Sequence, residues 1–214
     1  SASFAPERLS LIEQIHSTLI ELGPQFRLPL MELAFPALKQ RPREQIDTLV
    51  DLINTLIETD GHVDTFEYLL SRALWSLLKD AQRPQRVTTK LRTRLASSVN
   101  ELHTLFSVVA RLGHREDRDA AHDAYQIGML ALLPNSVEWP RYAPPQEWTL
   151  RMDQALDTLD SLPPMIKEEL VKALTVTISH DGRITASEAE LLRAVCIILH
   201  CPLPPFVLDT VAEL

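Results

Sequence analysis

The stretch from His180 to Val195, His-Asp-Gly-Arg-Ile-Thr-Ala-Ser-Glu-Ala-Glu-Leu-Leu-Arg-Ala-Val, decides the fold class. An Asp-Gly turn is followed by a hydrophobic residue, an N-cap type at Thr185 and a Glu three residues on, which is the reciprocal capping box at a helix start. Upstream, Val171, Leu174 and Ile178 fall at helical spacing, so the segment reads as helix, tight corner, helix.

The same corner occurs once more, 121 residues earlier. Asp60-Gly61 aligns with Asp181-Gly182, Val63 with Ile184, Glu67 with Glu188, Leu70 with Leu191 and Arg72-Ala73 with Arg193-Ala194. Ala34, Leu38 and Pro42 align with Ala155, Leu159 and Pro163. A fixed offset of this kind marks a duplicated unit of three helices, with the Asp-Gly corner between the second and third.

Around the two copies the remaining chain is also helical. Leu9, Ile12, Ile15 and Leu19 give an amphipathic segment from about Glu7 to Leu22. A segment over 28–38 contains Pro29 and Pro36, the second predicting a kink. Ile46, Leu49, Val50, Ile53 and Ile57 mark a third helix, and Leu69, Leu70, Ala73, Leu74, Leu77 and Leu78 a fourth. A long helix is expected from about Thr89 to Leu112, with Gly113 just past its end, and a sixth with Ala124, Ile127, Leu130 and Ala131 facing the core. Three more follow near 149–161, 164–179 and 187–199, and no segment reads as a strand. The expectation is an all-α bundle of about nine helices with two copies of one three-helix unit. Its parts are an N-terminal helix (1–25), a first half with copy one (26–133), a Pro-rich connector (134–147) and a second half with copy two (148–206), forming one compact domain. Trp139, Tyr142 and Trp148 suggest that the connector is pinned down.

Composition supports this reading. The 214 residues are 45% hydrophobic and 23% charged, with 5 glycines and 6% aromatics, a scarcity that helices tolerate and turn-rich sandwiches do not. A net charge of −8 repels a phosphate backbone, so nucleic acid is not the expected partner. No apolar run approaches the ~20 residues of a membrane-spanning helix. Two cysteines form no disulfide framework, and the start at Ser1 fits a fragment.

Two readings of the Asp-Gly corners stay open. Asp60, Gly61, Asp64 and Glu67, with Asp181, Gly182, Thr185 and Glu188, account for helix corners: a left-handed stop, a cap and the Glu that closes the box. Alternatively Asp60, Asp64, Glu67, Asp181 and Glu188 are candidate cation ligands, although only one Asp precedes each Gly and the EF-hand loop pattern is absent. No catalytic residue is assigned, because His-Glu-x-x-His, the Gly-rich phosphate loop, Gly-x-Ser-x-Gly and Cys-x-x-Cys are all missing. Cys196, His200 and Cys201, and the run from His114 to Asp123, are weaker clusters. An enzyme would need His114, His122 or Cys196 to converge with carboxylates in a pocket.

The stretches Leu30–Leu38, Asp60–Tyr68, His180–Val195 and Cys201–Pro205 together resemble the C-terminal extension of bacterial membrane-embedded zinc metallopeptidases of the prenyl-protease and HtpX-like kind. The Asp-Gly corners also resemble those of tellurite-resistance TerB-like helical domains. The resemblance implies an accessory, partner-recruiting or regulatory domain on the cytoplasmic side of the bacterial inner membrane. Zinc and the catalytic helix would lie upstream, with no cofactor in this chain and a protein partner or the upstream peptidase as its contact. The alternative that it implies is a free-standing TerB-like domain binding a ligand or a divalent cation.

Overall fold

The computed structural model describes residues 6–23, 26–59, 65–82, 95–114, 117–133, 138–182 and 184–203. Among them the chain is all-α, with nine α-helices and no strand: α1 (Pro6–Leu22), α2 (Arg27–Leu38), α3 (Arg43–Thr59), α4 (Thr65–Gln82), α5 (Val99–Gly113), α6 (Arg118–Leu132), α7 (Trp148–Asp160), α8 (Pro164–Ile178) and α9 (Ala186–Ile198). No described helix is long and apolar enough to cross a membrane.

The duplication carries through to the backbone. Helices α2, α3 and α4 begin at Arg27, Arg43 and Thr65, and α7, α8 and α9 begin 121 residues later at Trp148, Pro164 and Ala186. The third helices of the two copies, α4 and α9, pack against each other. Each then sends an arginine to the first helix of the other copy. Arg72 of α4 reaches Asp153 of α7 at 3.4 Å, and Arg193 of α9 reaches Glu32 of α2 at 2.6 Å. Arg72 and Arg193 are counterparts under the shift, as are Glu32 and Asp153. The pairs are therefore reciprocal, as across a local two-fold axis.

The α5–α6 hairpin belongs to neither copy. It packs on copy two, α5 along α7 and α6 along α8, and builds the main core there. Leu102, Leu105 and Phe106 of α5, Met129 of α6, Leu156 and Leu159 of α7 and Leu170 of α8 are fully buried. Burying each such side chain contributes about 1.5–3 kcal/mol before the entropy of ordering it is set against it. One continuous core runs from Leu28 to Leu199, and a small satellite of Ile46, Leu74 and Leu78 lies between α3 and α4.

Four local expectations change. The helix expected from Thr89 begins at Val99, after a short 3₁₀ turn at Leu95–Ser97; residues 83–94 lie outside the described ones. Gly113 is the last residue of α5 rather than a left-handed stop; the reason for a glycine there is given below. On α6 the buried face is Ala121, Ala124, Tyr125, Gly128 and Met129, while Ile127 and Leu130 are exposed. Finally, the apolar stripe of α1 contributes no buried side chain among the described residues: Leu9, Ile12 and Ile15 are exposed and Leu19 is half-buried. Pro36 does lie inside α2, which continues through it to Leu38.

The connector is pinned as its aromatics suggest. Trp139, Tyr142 and Trp148 pack against the main core. The buried Tyr125 hydroxyl donates to the Pro140 carbonyl at 2.7 Å and lies 2.8 Å from His103 Nδ1.

Candidate functional site

The second Asp-Gly corner is built as helix-stop and helix-start chemistry. Gly182 has φ +79, a left-handed backbone in which a side chain is strained by about 1–2 kcal/mol. It stands beyond the end of α8 and donates its N–H to the Ser179 carbonyl at 2.9 Å. Thr185 caps α9: its hydroxyl accepts from the Glu188 N–H at 3.3 Å, and Glu188 Oε2 accepts from the Thr185 N–H at 2.8 Å. Ile184, just before the cap, packs against the core as a staple does. Glu188 is buried, and its other oxygen lies over Gly113, where a Cβ would sit 2.7 Å from it. That contact is what requires glycine at the end of α5. Gly113→Ala is expected to lower stability by about 1–2 kcal/mol by displacing the capping carboxylate, as read by urea unfolding.

The candidate cation ligands separate on this geometry. Asp60, Gly61 and Asp64 lie outside the described residues. Glu67 and Asp181 are exposed, and Glu188 is held in the capping box. Among the described residues no three His, Cys, Asp or Glu side chains are grouped to hold a metal ion.

The weaker clusters resolve into packing. Cys196 is buried and its thiol is pushed up to about 12 by desolvation, which makes it inert. His200 turns away from both thiols, with Nδ1 2.8 Å from Asp160 and Nε2 2.5 Å from Asp80. Asp160 also accepts from Lys167 Nζ at 2.6 Å, and Lys167 donates to the Leu199 carbonyl at 2.9 Å. The chain Asp80–His200–Asp160–Lys167 thus ties the ends of α4, α7 and α9 to the start of α8. Its hydrogen bond to Asp160 is the main reason that the His200 imidazole titrates near 9, further helped by Asp80 against the pull of burial. In the segment from His114, Asp117 caps α6 by accepting from the Asp119 and Ala120 N–H groups, and His122 lies beside Asp123 at 3.3 Å. The His114 ring lies 5.9 Å from that of His180.

Helical patterning reads Glu190, with Glu188, as an exposed face and a cap, and the structure instead buries it. Glu190 of α9 is 2% exposed and faces Arg193 at 3.8 Å, with Glu32 beyond it. It accepts the Leu28 N–H in the first turn of α2, whose own N-cap position, Phe26, offers no side-chain acceptor. Desolvation raises its carboxyl from 4.5 to about 7, with Arg193 opposing. A folded value above the unfolded one means that this stability is complete below pH 4.5 and is lost as pH rises through 7. Urea unfolding across that range should show Glu190→Gln losing this part of the pH slope.

An open groove along α3 and α4 is the remaining site. Two adjoining hollows of about 300 and 330 Å³ share Val50 and Trp75. Ile46, Val50, Ile53 and Leu78 form the apolar wall. Tyr68, Arg72, Trp75 and Lys79 follow one another on one side of α4 at helical spacing. Tyr68 donates to Asp153 at 2.6 Å, and its hydroxyl is held well above the usual range by burial and then by that bond. Arg72 pairs with Asp157 and stacks 4.4 Å over Trp75, with Lys79 Nζ 4.5 Å from the same ring. The result is a hydrophobic trough centred on a tryptophan whose cationic neighbours hold it in place. Sequence reasoning missed it because its parts lie on three helices. The alignment of Arg72 with Arg193 and of Asp153 with Glu32 was the available signal.

Compared with known protein families, curated proteins and solved structures, the chain matches none.

Proposed function

We propose that this chain is a non-catalytic accessory domain, recruiting a protein partner or regulating access to a membrane zinc metallopeptidase of the prenyl-protease and HtpX-like kind. The observation that supports it most is the groove beside Trp75. Its apolar wall and mixed-charge rim of Arg43, Lys79, Asp47 and Asp51 suit the side of a protein helix. Two of the hydroxyls that line it are already engaged: Ser71 donates to the Tyr68 carbonyl at 2.8 Å and Tyr68 to Asp153. The Asp80–His200–Asp160–Lys167 cluster joins helices to one another. On this reading zinc belongs to the upstream peptidase, and the domain works on the cytoplasmic face of the bacterial inner membrane. The TerB-like cation-binding alternative needs Glu188, whose carboxylate closes the α9 cap; calorimetric titration with calcium, magnesium and zinc tests it directly.

The decisive experiment is proteolysis by the full parent protein, with and without this domain and with Trp75→Glu in the groove. Deletion is expected to change rate or substrate range, and the single substitution to reproduce much of that change with helicity intact. Proteolysis indifferent to both would end the accessory reading.

A further inference from the structure

We propose that Glu190 is a proton-operated latch on α2: protonated, it holds the first turn of that helix on α9, and ionised, it releases that turn. The internal repeat shows that the acid is not there to build the core. Under the 121-residue shift Glu190 falls on Leu69, which is fully buried, so the fold accepts an apolar side chain at this place. Glu190 is buried almost as deeply, yet it carries a group that can charge.

Its surroundings suit the neutral form. The carboxyl accepts the Leu28 N–H, but its Oε2 is sealed from solvent with no hydrogen-bond partner among the described residues. A carboxylate can accept about four hydrogen bonds, so ionisation here leaves most of that demand unmet. Arg193 does not make up the difference, because its guanidinium lies 2.6 Å from Glu32 and 3.8 Å from Glu190. Glu32, on α2, is itself a like charge. Arg27 begins α2 one residue before Leu28. Helices α4, α5 and α8 also pack on α9, and among the described residues they bring no charge that acts on Glu190. The turn that it holds has few other ties: Phe26 caps nothing with its side chain, and Pro29 has no N–H. Opening the turn lifts Leu28 and Met31 from the main core and lets water reach the carboxylate. Desolvation raises the group from 4.5 to about 7, so the latch is closed below pH 4.5 and loosens as pH rises through 7.

Hydrogen exchange of the Leu28 amide in the full chain tests this, followed by NMR between pH 5 and 8 and corrected for base catalysis. The opening constant should rise on the order of fiftyfold over that range and level off beyond it, as loss of one proton from this group requires. Leu28 should also open roughly tenfold or more as often as Leu105 in the main core, because the latch frees one turn and not the whole fold. Glu190→Gln keeps an acceptor for the Leu28 N–H and cannot ionise, so its opening should stay flat with pH. Glu32→Gln frees Arg193 for Glu190, and there the rise should be smaller and end at lower pH. Four results would overturn the proposal: a flat wild type, a Glu190→Gln chain that opens as wild type does, an undiminished rise in Glu32→Gln, or equal opening at Leu28 and Leu105. Any of these leaves the accessory-domain reading standing, because that reading is judged by proteolysis in the parent.

Discussion

Gly128→Ala is expected to lower the stability of the fold by about 2–3 kcal/mol, although alanine favours an isolated helix by about 1 kcal/mol. A Cβ at this position of α6 would lie 2.0 Å from Thr177 Oγ1 on α8 and 2.7 Å from Phe106 Cδ1 on α5. Both neighbours are buried, and the Thr177 hydroxyl is directed to the Ala173 carbonyl at 3.0 Å. No rotamer change relieves two contacts of that kind, so the helices must separate at this crossing. Overpacking therefore outweighs propensity. Urea unfolding reads the loss, and a double-mutant cycle tests its cause. Gly128→Ala combined with Thr177→Ala should be less damaging than the sum of the two singles, since one clash has gone. Strict additivity would mean that the crossing is looser than this geometry.

Asp160→Asn is expected to cost about 2–3 kcal/mol and to change the shape of the stability profile above neutral pH. The carboxylate serves two cations. Lys167 is 8% exposed and would lose its carboxylate partner, keeping neutral acceptors alone, while His200 would keep only Asp80 as a charged partner. Removing one side of a buried pair strands the other, which is why the cost exceeds that of losing a surface ion pair. Asp160 keeps partial contact with water, which places the figure below that for a sealed pair. In the native protein the His200 value, about 9, lies above the unfolded 6.5. Its contribution is complete below pH 6.5 and is lost as pH rises through 9. The variant, without its strongest raising partner, should lose most of that decline. Unfolding midpoints between pH 6 and 9.5 decide the matter, and an unchanged slope would show that Asp160 does not set the imidazole.

The fold was legible where one chemical signal had one local cause. Thr185 and Glu188 announce a cap that the structure builds bond for bond, and the repeat sets the starts of six helices. The inward side of α6 was not legible. Periodicity favours large side chains such as Ile127 and Leu130, whereas a close three-helix crossing selects Ala124 and Gly128. Gly113 misleads in a similar way: beside a helix end glycine suggests a left-handed stop, but here it makes room for a carboxylate 75 positions along the chain. The stripe of α1 could be read without revealing what it faces. The groove was hidden for a topological reason: α4 meets α7 of the other copy, and neither sequence distance nor hydrophobicity reports that exchange.

The crossed arginines carry a consequence for how the molecule holds together. Because Arg72 reaches Asp153 in the second copy and Arg193 reaches Glu32 in the first, the two halves close on each other. Glu190 strengthens the same dependence by satisfying the first turn of α2 from α9. Cutting the chain within its connector would leave two interlocked pieces rather than two domains. Order gained by one half is available only as the other gains it. A single cooperative transition, and not two successive ones, is the natural behaviour of a chain laced in this way.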